Sequence, residues 1–356
     1  MKIKNQIIKL MFAVALTFTA FSCSDDDKVE ITKLPTVLEI AQADNANFSV
    51  LIKALQVTGL TATVSGPGSY TVFAPTNTAF AAEGINEASL QVLADNPTLP
   101  ANVTAIAGIR NILRNHILGV GTKSNDLLAS RYVKTFATGP GTTTLSMFVN
   151  QVGADVLING GVTNGGTKVT KADIDASNGI VHVVANVIKL PKILNHAIAN
   201  PDLSTLVTVV TSTSGTFGNQ AAIATALGGN GPLTVFAPLN SAFTTATTGS
   251  GFLTGANLTG PNVTKVLQYH VSSTGNLTSS SATSWTPSTT ITNATITTLA
   301  QNSVPAAQTF LITQGTVKIT ELPAQTGVPA SNIKFVNIQA TNGVIHTIDR
   351  VLQPVL

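Results

Sequence analysis

Hydrophobic residues follow the same order twice along this chain of 356 residues. Apolar side chains recur every three or four positions in residues 37–55 and again in residues 193–210, which predicts a helix with one buried face in each stretch. A longer helix is predicted over 105–118 in the first half and over 262–271 in the second. The two halves are therefore expected to share one fold.

A ten-residue block is the clearest sign of this duplication. The sequence TVFAPTNTAF begins at Thr71 and returns as TVFAPLNSAF at Thr234, 163 residues later. Its apolar start predicts a buried strand that ends at proline, and the asparagine after the proline is expected to cap a short helix. These positions are Phe73, Pro75 and Asn77 in the first copy and Phe236, Pro238 and Asn240 in the second. Asn47 and Asp202 are expected to cap the helices that precede the blocks.

Strands follow the helices in each half. In the first half, residues 156–160 and 167–170 flank a connection rich in Gly and Asn, the pattern of a hairpin with a longer loop. The last strand, 178–184, has its copy at 342–348, and both begin with Asn-Gly. The second half lacks the Gly/Asn-rich connection and carries a Ser/Thr-rich stretch over 272–297. Each half is therefore expected to mix helices and strands.

Three motifs in a fixed order resemble the fasciclin domain family. They are the ten-residue block, the pair Tyr269-His270, and an ending that runs from Asn342 through His346 to Asp349. The resemblance covers residues 33–191 and 192–356. It implies an α+β fold of two tandem fasciclin-like domains, each a bent β-sandwich or wedge with helices packed along one side. It also implies an association with cell adhesion.

The first half departs from the family pattern at two positions. Asn115-His116 stands where the family often has Tyr-His, and Ala185 stands where the second half has Asp349. Any function that the tyrosine of the pair carries is therefore expected in the second half rather than the first.

Four of the five histidines occupy matching places, His116 with His182 and His270 with His346. A metal site is one interpretation, but such a site needs three or four ligands, and no Cys or carboxylate repeats beside them. The favoured interpretation is structural: each ring bonds buried backbone groups, since Ile, Leu and Val flank it. His196 has no counterpart and is expected to be a partly exposed helix residue.

The N-terminus has the pattern of a lipoprotein signal peptide over residues 1–22. Three lysines precede an apolar run over 10–21, which is too short to cross a bilayer. Cys23 is the only cysteine, so an internal disulfide is excluded, and its position resembles the lipid acceptor of bacterial lipoproteins. A buried thiol and loss with the cleaved peptide are the alternatives for Cys23.

An acidic tether is predicted over residues 23–32. Ser24, Asp25, Asp26 and Asp27 resemble the acidic export signal of Bacteroidetes lipoproteins. The alternative is a metal cluster, which a flexible stretch organises only at a high cost in chain entropy. Together the two N-terminal features predict a lipid anchor in the outer membrane, with the protein exposed at the cell surface.

Removal of the signal peptide changes the charge balance. The chain has 19 Lys+Arg and 16 Asp+Glu, and losing three lysines with residues 1–22 leaves 16 of each. A protein whose positive and negative charges balance, and which has no stripe of basic residues, is a poor partner for nucleic acid. The predicted link to the membrane is therefore the lipid anchor alone.

No catalytic constellation repeats between the halves, so neither an enzyme nor a cofactor is expected. Residues 119–124 resemble a phosphate loop only loosely, and a helix end with a glycine cap is the preferred interpretation. Asp155, Asp173 and Asp175 lie close together in the sequence, and strand and turn positions explain them without an acid–base pair.

The sequence therefore predicts a non-enzymatic surface lipoprotein that contacts a matrix, a neighbouring cell or a surface polymer through two domains. The alternative is an outer-membrane accessory protein that binds polysaccharide. Trp285, the only tryptophan, lies in a loop rich in Ser, Thr and Pro and motivates this alternative, because an exposed aromatic ring can stack on a sugar. A packed loop anchor is the other interpretation of Trp285.

Overall fold

A computed structural model describes residues 33–247, 253–273, 275–278, 309–313, 318–322, 329–354 and 356. Residues 34–356 belong to one compact unit. The predicted signal peptide and tether, with Cys23 and residues 24–27, lie outside the described residues, as does Trp285. Within the described ranges, no helix is long and apolar enough to cross a membrane.

The first half (33–191) packs its helices around a seven-stranded sheet of order β2-β1-β7-β6-β5-β4-β3. The helices are α1 (Val37–Ala43), α2 (Asn45–Val57), α3 (Thr61–Ser65), α4 (Asn77–Ala82), α5 (Glu87–Asp95), α6 (Pro100–Asn115) and α7 (Ser124–Ser130). The strands are β1 (Tyr70–Pro75), β2 (Ile117–Leu118), β3 (Tyr132–Thr138), β4 (Thr144–Val152), β5 (Asp155–Ile158), β6 (Thr167–Ala176) and β7 (Gly179–Val184).

The second half (192–356) repeats this plan with a six-stranded sheet of order β10-β11-β12-β13-β8-β9 in its described part. The helices there are α8 (Ile193–Ala199), α9 (Ser204–Val210), α10 (Ala221–Gly228), α11 (Asn240–Thr247) and α12 (Gly260–Tyr269). The strands are β8 (Leu233–Pro238), β9 (Val271–Ser272), β10 (Thr309–Thr313), β11 (Lys318–Leu322), β12 (Ser331–Ala340) and β13 (Gly343–Ile348).

The ten-residue block and the final strand lie side by side in each half. β1 pairs with β7 in parallel, with Phe73 opposite His182. β8 pairs with β13 in parallel, with Phe236 opposite His346. A parallel pair needs a long crossover connection, and here the other helices and strands of the half provide it. Motifs that are far apart in the sequence therefore meet in the same register twice.

The apolar spacing of the first helices marks the core. The buried side chains of α2 in the first half include Phe48, Leu51 and Leu55. Their counterparts in α9 of the second half, Leu206 and Val210, are also buried. The mixed helix-and-sheet class, the strand at each ten-residue block and the β5–β6 hairpin are all as predicted.

Several predicted element ends are wrong. The helix predicted over 105–118 starts at Pro100 and ends at Asn115, because Leu118 pairs with Thr71 as part of strand β2. Residues 119–123 therefore follow a strand, so the prediction of a helix end with a glycine cap is wrong. Gly119 has a different reason to be glycine: a Cβ there would lie 2.8 Å from the ring of Phe136, which would have to shift.

The predicted caps before the blocks are also misplaced. Asn47 lies inside α2, which starts after Asp44, and donates its side-chain amide to the Asp44 carboxylate. Asp202 lies in a short 3₁₀ turn, whose first N–H groups are capped by the side chain of Asn200. Asn200 thus caps its turn from two positions earlier, whereas Asp44, the residue before α2, makes no side-chain cap bond.

Candidate functional site

His182 belongs to β7, which pairs with the bulged strand β6. Its Nδ1 accepts a hydrogen bond from Asp173 N at 3.1 Å, and its Nε2 donates to Thr122 O at 3.1 Å. The backbone at Asp173 has a φ of 61°, and this bulge places its N–H in reach of the ring. Phe73 stacks on the imidazole with ring centroids 5.4 Å apart.

His346 repeats this arrangement in the second half. Its Nδ1 lies 3.4 Å from Asn337 N, at a bulge where Asn337 has a φ of 59°, and its Nε2 donates to Leu277 O at 2.9 Å. Phe236 stacks on the ring at 5.4 Å. The role is the same in both halves: the ring satisfies a bulge N–H and a loop carbonyl that the sheet leaves unpaired.

His116 and His270 hold the ends of the long helices. His116 Nδ1 donates to Ile112 O at 2.8 Å, and its Nε2 accepts from Ile188 N at 2.9 Å. His270 makes the equivalent two bonds at 2.7 and 2.9 Å. Each ring therefore joins the last turn of a helix, α6 or α12, to the chain that leaves the final strand.

The environment of these rings keeps them neutral at pH 7. Burial lowers the pKa of His116, His270 and His346 to about 4, and burial also lowers the pKa of His182. With one nitrogen donating and the other accepting, a neutral ring has no lone pair left for a metal. Across the described residues, no group of three or more His, Cys, Asp or Glu side chains is arranged to hold a metal ion.

The residue before each helix-end histidine lies in the core. Tyr269 is 1% exposed and packs in a cluster with Phe236 and Ile348. Asn115, its counterpart, is fully buried and donates to Lys189 O at 3.2 Å. Neither side chain reaches the surface, so the Tyr-His pair cannot contact a partner in this fold.

Asn77 and Asn240 link each ten-residue block to the preceding helix. Asn77 Oδ1 accepts from Val50 N at 3.0 Å, while Thr76 is the residue whose side chain caps α4. Asn240 is likewise the first residue of α11, and its Oδ1 accepts from Thr205 N at 2.9 Å. The predicted capping role is therefore wrong for both asparagines. Pro75 and Pro238 end strands β1 and β8 as expected.

Asn178 and Asn342 have a larger role than the predicted turns. Asn178 Oδ1 accepts from Val37 N at 2.9 Å, and its amide nitrogen donates to Val64 O at 3.0 Å and Gly66 O at 2.9 Å. Asn342 makes the same three bonds in the second half, at 2.9, 2.9 and 3.0 Å. Each asparagine joins the first helix, a later helix end and the last hairpin. Its recurrence in both halves is the sequence signal for this role.

Asp349 closes the second sheet. Its carboxylate accepts from Asn332 N at 2.7 Å and pairs with Lys334 at 3.1 Å. Burial opposes its ionisation, but the bonds from Asn332 and the charge of Lys334 outweigh burial, so the pKa of Asp349 is lowered. The first half has Ala185 at this position, whose backbone N–H bonds Lys168 O.

The aspartates of the first half are also structural. Asp173 accepts from the N–H and hydroxyl of Ser124 at 2.8 and 2.7 Å, Asp175 pairs with Lys123, and Asp155 pairs with Lys168. The carboxylate of Asp173, a residue of β6, therefore binds the first residue of α7. The loosely phosphate-like loop 119–124 therefore has a carboxylate where a phosphate would bind.

The two halves meet along a contact that we call the seam. Its residues are Arg131, Tyr132, Lys134, Ser146 and Asn164 from the first half and Asn195, His196, Asn200, Asp202, Asn337 and Gln339 from the second. Arg131 has a φ of 56°, a strained conformation for a residue with a side chain. From there its guanidinium reaches Asp202 at 2.7 Å and Asn200 at 3.0 Å.

His196 lies at the centre of the seam, so the prediction of a partly exposed residue is wrong. It is fully buried, its Nε2 donates to Gln339 O at 3.2 Å, and its ring lies 5.9 Å from that of Tyr132. Burial lowers its pKa to about 4. The sequence pattern of its helix, α8, predicts one side that faces solvent. The first half covers that side, because Tyr132 and Asn164 contact α8.

The Gly/Asn-rich connection of the first half docks on α8. Asn164 donates to Asn195 O at 2.7 Å, and Asn195 donates back to Asn164 Oδ1 at 3.0 Å. Gly160 has a φ of 77°, and a Cβ there would lie 3.0 Å from the Cα of Ala199. This connection is therefore a contact surface between the halves as well as a turn.

An apolar cavity of about 30 Å³ lies between the first two helices and the sheet of the first half. Val37, Phe48, Leu51 and Val181 are among its lining residues, and His116, with both nitrogens already bonded, adds its ring. The volume is close to that of one water molecule, and the apolar walls offer no partner for it. The cavity is a packing defect and has no room for an organic ligand.

Comparison with known proteins identifies one family in both halves. The family model for the fasciclin domain matches residues 46–191 and 201–354. The transforming growth factor-beta-induced protein ig-h3 of Sus scrofa is 30% identical over 222 residues, which is 61% of this chain and 28% of that protein. The chain thus spans little more than a quarter of that relative.

Two further matches extend over almost the whole length of the similar protein. An uncharacterized protein of Synechocystis, sll1735, is 30% identical over 155 residues, which is 44% of this chain and 98% of that protein. A solved FAS1 domain pair from the insect cell adhesion molecule fasciclin I is 17% identical, with a TM-score of 0.42, and the match covers 89% of this chain and 96% of that one.

Proposed function

The chain belongs to the fasciclin domain family, and from this premise we propose that it is a non-enzymatic adhesion protein of the cell surface. In this proposal Cys23 carries the lipid anchor in the outer membrane, and residues 24–27 direct the protein to the outer face. The two domains then contact a matrix, a neighbouring cell or a surface polymer. The association of the family with cell adhesion supports the proposal, as does the N-terminal sequence pattern.

One observation carries the non-enzymatic part of the proposal. The polar residues that recur in both halves are engaged by the fold itself: His182, His346, Asn178 and Asn342 each bond two or three backbone groups. A catalytic group must be available to a substrate, and these groups are not. Recognition is therefore left to exposed side chains of the surface.

The seam determines how the proposal is tested. Arg131, His196 and Gly160 contact the other half across it, so one half expressed alone exposes surface that is buried in the whole chain. Loss of binding by a single half could then reflect misfolding. The whole unit is the proper reagent, with substitutions at exposed positions as variants.

The experiment uses labelled residues 24–356, which retain the compact unit 34–356 and omit the predicted lipid site. The protein is applied to matrix proteins, to whole cells that express the full chain, and to an array of glycans. Saturable binding to cells or to a matrix protein is the expected result, and acid-unfolded protein is the control. No binding above a neutral control protein would contradict the proposal. Selective binding to one polysaccharide class that is lost in Trp285→Ala would replace adhesion with polysaccharide capture.

A further inference from the structure

Strand β12 exposes two apolar side chains at its bulge. Phe335 is 43% exposed and Val336 is 44% exposed, although Ile338, Gln339 and Ala340 farther along the strand are buried. The pairing of β12 with β13 shifts register on both sides of Phe335. A bulge of this kind turns side chains away from the regular faces of a sheet.

The first half shows that the fold does not need these apolar residues. The equivalent bulge of β6 has the same positive φ, at Asp173 in place of Asn337, and the same bond to a histidine. It carries Lys171 and Ala172 at the positions of Phe335 and Val336. A charged side chain at an exposed position keeps that surface hydrated and protects it against unwanted apolar contacts. The second half lacks that protection at the same place.

The first half adds an aromatic ring to this exposed pair. The ring of Tyr132 lies 6.5 Å from that of Phe335 across the seam, at an angle of 54°. Tyr132 also packs on Phe148 at 4.8 Å, and Asn200 donates to its hydroxyl at 3.3 Å. The ring is therefore fixed in place, and the apolar surface spans both halves of the chain.

Lys134, which has no carboxylate partner among the described residues, borders the same surface. Lys134 Nζ donates to Ser146 Oγ at 2.9 Å and to Asn337 O at 2.6 Å, two residues from Phe335. The ion pairs of the described residues include no acid paired with Lys134. Although the residue as a whole is exposed, partial burial of its ammonium group lowers its pKa to about 8. An ammonium has three N–H donors, and these two neutral acceptors leave one for a carboxylate.

We propose that Phe335, Val336, Tyr132 and Lys134 form a recognition surface for a peptide segment of a partner protein that carries a carboxylate beside apolar side chains. This inference rests on the proposed function and specifies where that function is exercised. Charge complementarity selects the acidic partner: within the part of the chain that the structure describes, no acid pairs with Lys134, whereas Lys334 and Arg131 are paired. A protein segment fits better than a sugar, because the two rings are inclined at 54° and form no flat platform.

Two heptapeptide libraries test the proposal. One combines Asp or Glu with Phe, Leu, Ile, Val and Tyr, and the other replaces every acid with Asn or Gln. Residues 24–356 are compared with Phe335→Lys/Val336→Ala, which installs the residues that the first-half bulge carries, and urea unfolding checks that the variant is folded. Lys134→Gln tests the cation, and Lys171→Gln, a loss of charge at the first-half bulge, is the matched control.

The expected result is saturable binding to acidic peptides and at least about tenfold weaker binding to their amide counterparts. Phe335→Lys/Val336→Ala and Lys134→Gln should each lose about tenfold or more, and Lys171→Gln should bind as the unmodified protein does. Equal binding by all four proteins, or no peptide binding, would overturn the proposal. Binding to an acidic polysaccharide such as alginate, lost in the same variants, would also overturn it.

Parallel measurements on cells and matrix proteins separate this inference from the proposed function. If the unmodified protein binds cells and Phe335→Lys/Val336→Ala binds them equally well, the adhesion function stands and this surface does not exercise it. If the unmodified protein binds neither cells nor matrix proteins, the adhesion function itself fails, and the surface proposal falls with it.

Discussion

Acidification should strongly destabilise this protein between pH 6.5 and 4, because four buried histidines take up protons when the chain unfolds. Burial lowers the pKa of each ring to about 4 in the fold, against an ordinary value of 6.5; the four are His116, His196, His270 and His346. Since the folded pKa is the lower one, the unfolded chain binds more protons between pH 6.5 and 4. The stability is therefore complete above pH 6.5 and falls as the pH falls through this window.

The size of the effect follows from the separation of the two pKa values. At pH 5 each buried ring lowers the free energy of unfolding by roughly 2 kcal/mol, and the four together lower it by roughly 8 kcal/mol. A folded domain has about 5–15 kcal/mol of stability in total. The four histidines alone therefore remove the stability of a domain in the lower half of this range by about pH 5. The lowered pKa values of Asp173 and Asp349 add a further loss at lower pH.

The assay is urea unfolding followed by circular dichroism, in steps of half a pH unit from 7.5 to 4.5. The slope of the unfolding free energy against pH gives the protons taken up on unfolding, and it should approach four near pH 5. His196→Gln should reduce that slope by one. A free energy that changes by less than about 1 kcal/mol between pH 7 and 4.5 would refute the assigned burial of the rings.

Substitutions at three positions give further expected outcomes. His346→Ala should lower the unfolding free energy in urea by about 2–4 kcal/mol, because two backbone groups lose their buried partner; an unchanged value would mean that the ring is exposed. Asn342→Ala removes three hydrogen bonds and should cost a similar amount, with Asn125→Ala, at an exposed position of α7, as the control that leaves urea unfolding nearly unchanged. Arg131→Gly should be more stable than Arg131→Ala by about 1 kcal/mol, because glycine tolerates a φ of 56°. Equal stability of these two variants would show that the backbone at Arg131 is unstrained.

Local patterns predicted much of the fold because helix and strand periods are properties of neighbouring residues. The buried faces of α2 and α9 and the strands at Phe73 and Phe236 follow from spacing and from the prolines after them. Element ends were less predictable. Thr76 and Asn77 are adjacent residues with similar capping ability, and only the contact with Val50 shows that the asparagine serves another helix.

The sequence by itself determined that one domain occurs twice and that the family is fasciclin, because repetition and motif order can be read without coordinates. It also indicated that the paired histidines serve the structure. Only the tertiary structure decided what Arg131, the Gly/Asn-rich connection and His196 do, because each contacts the other half of the chain, His196 through the ring of Tyr132. Likewise, only the structure showed that Phe335 is exposed, at the position that Lys171 occupies in the first half. Contacts across the seam depend on how two folded surfaces meet, and no local pattern in either half encodes that arrangement.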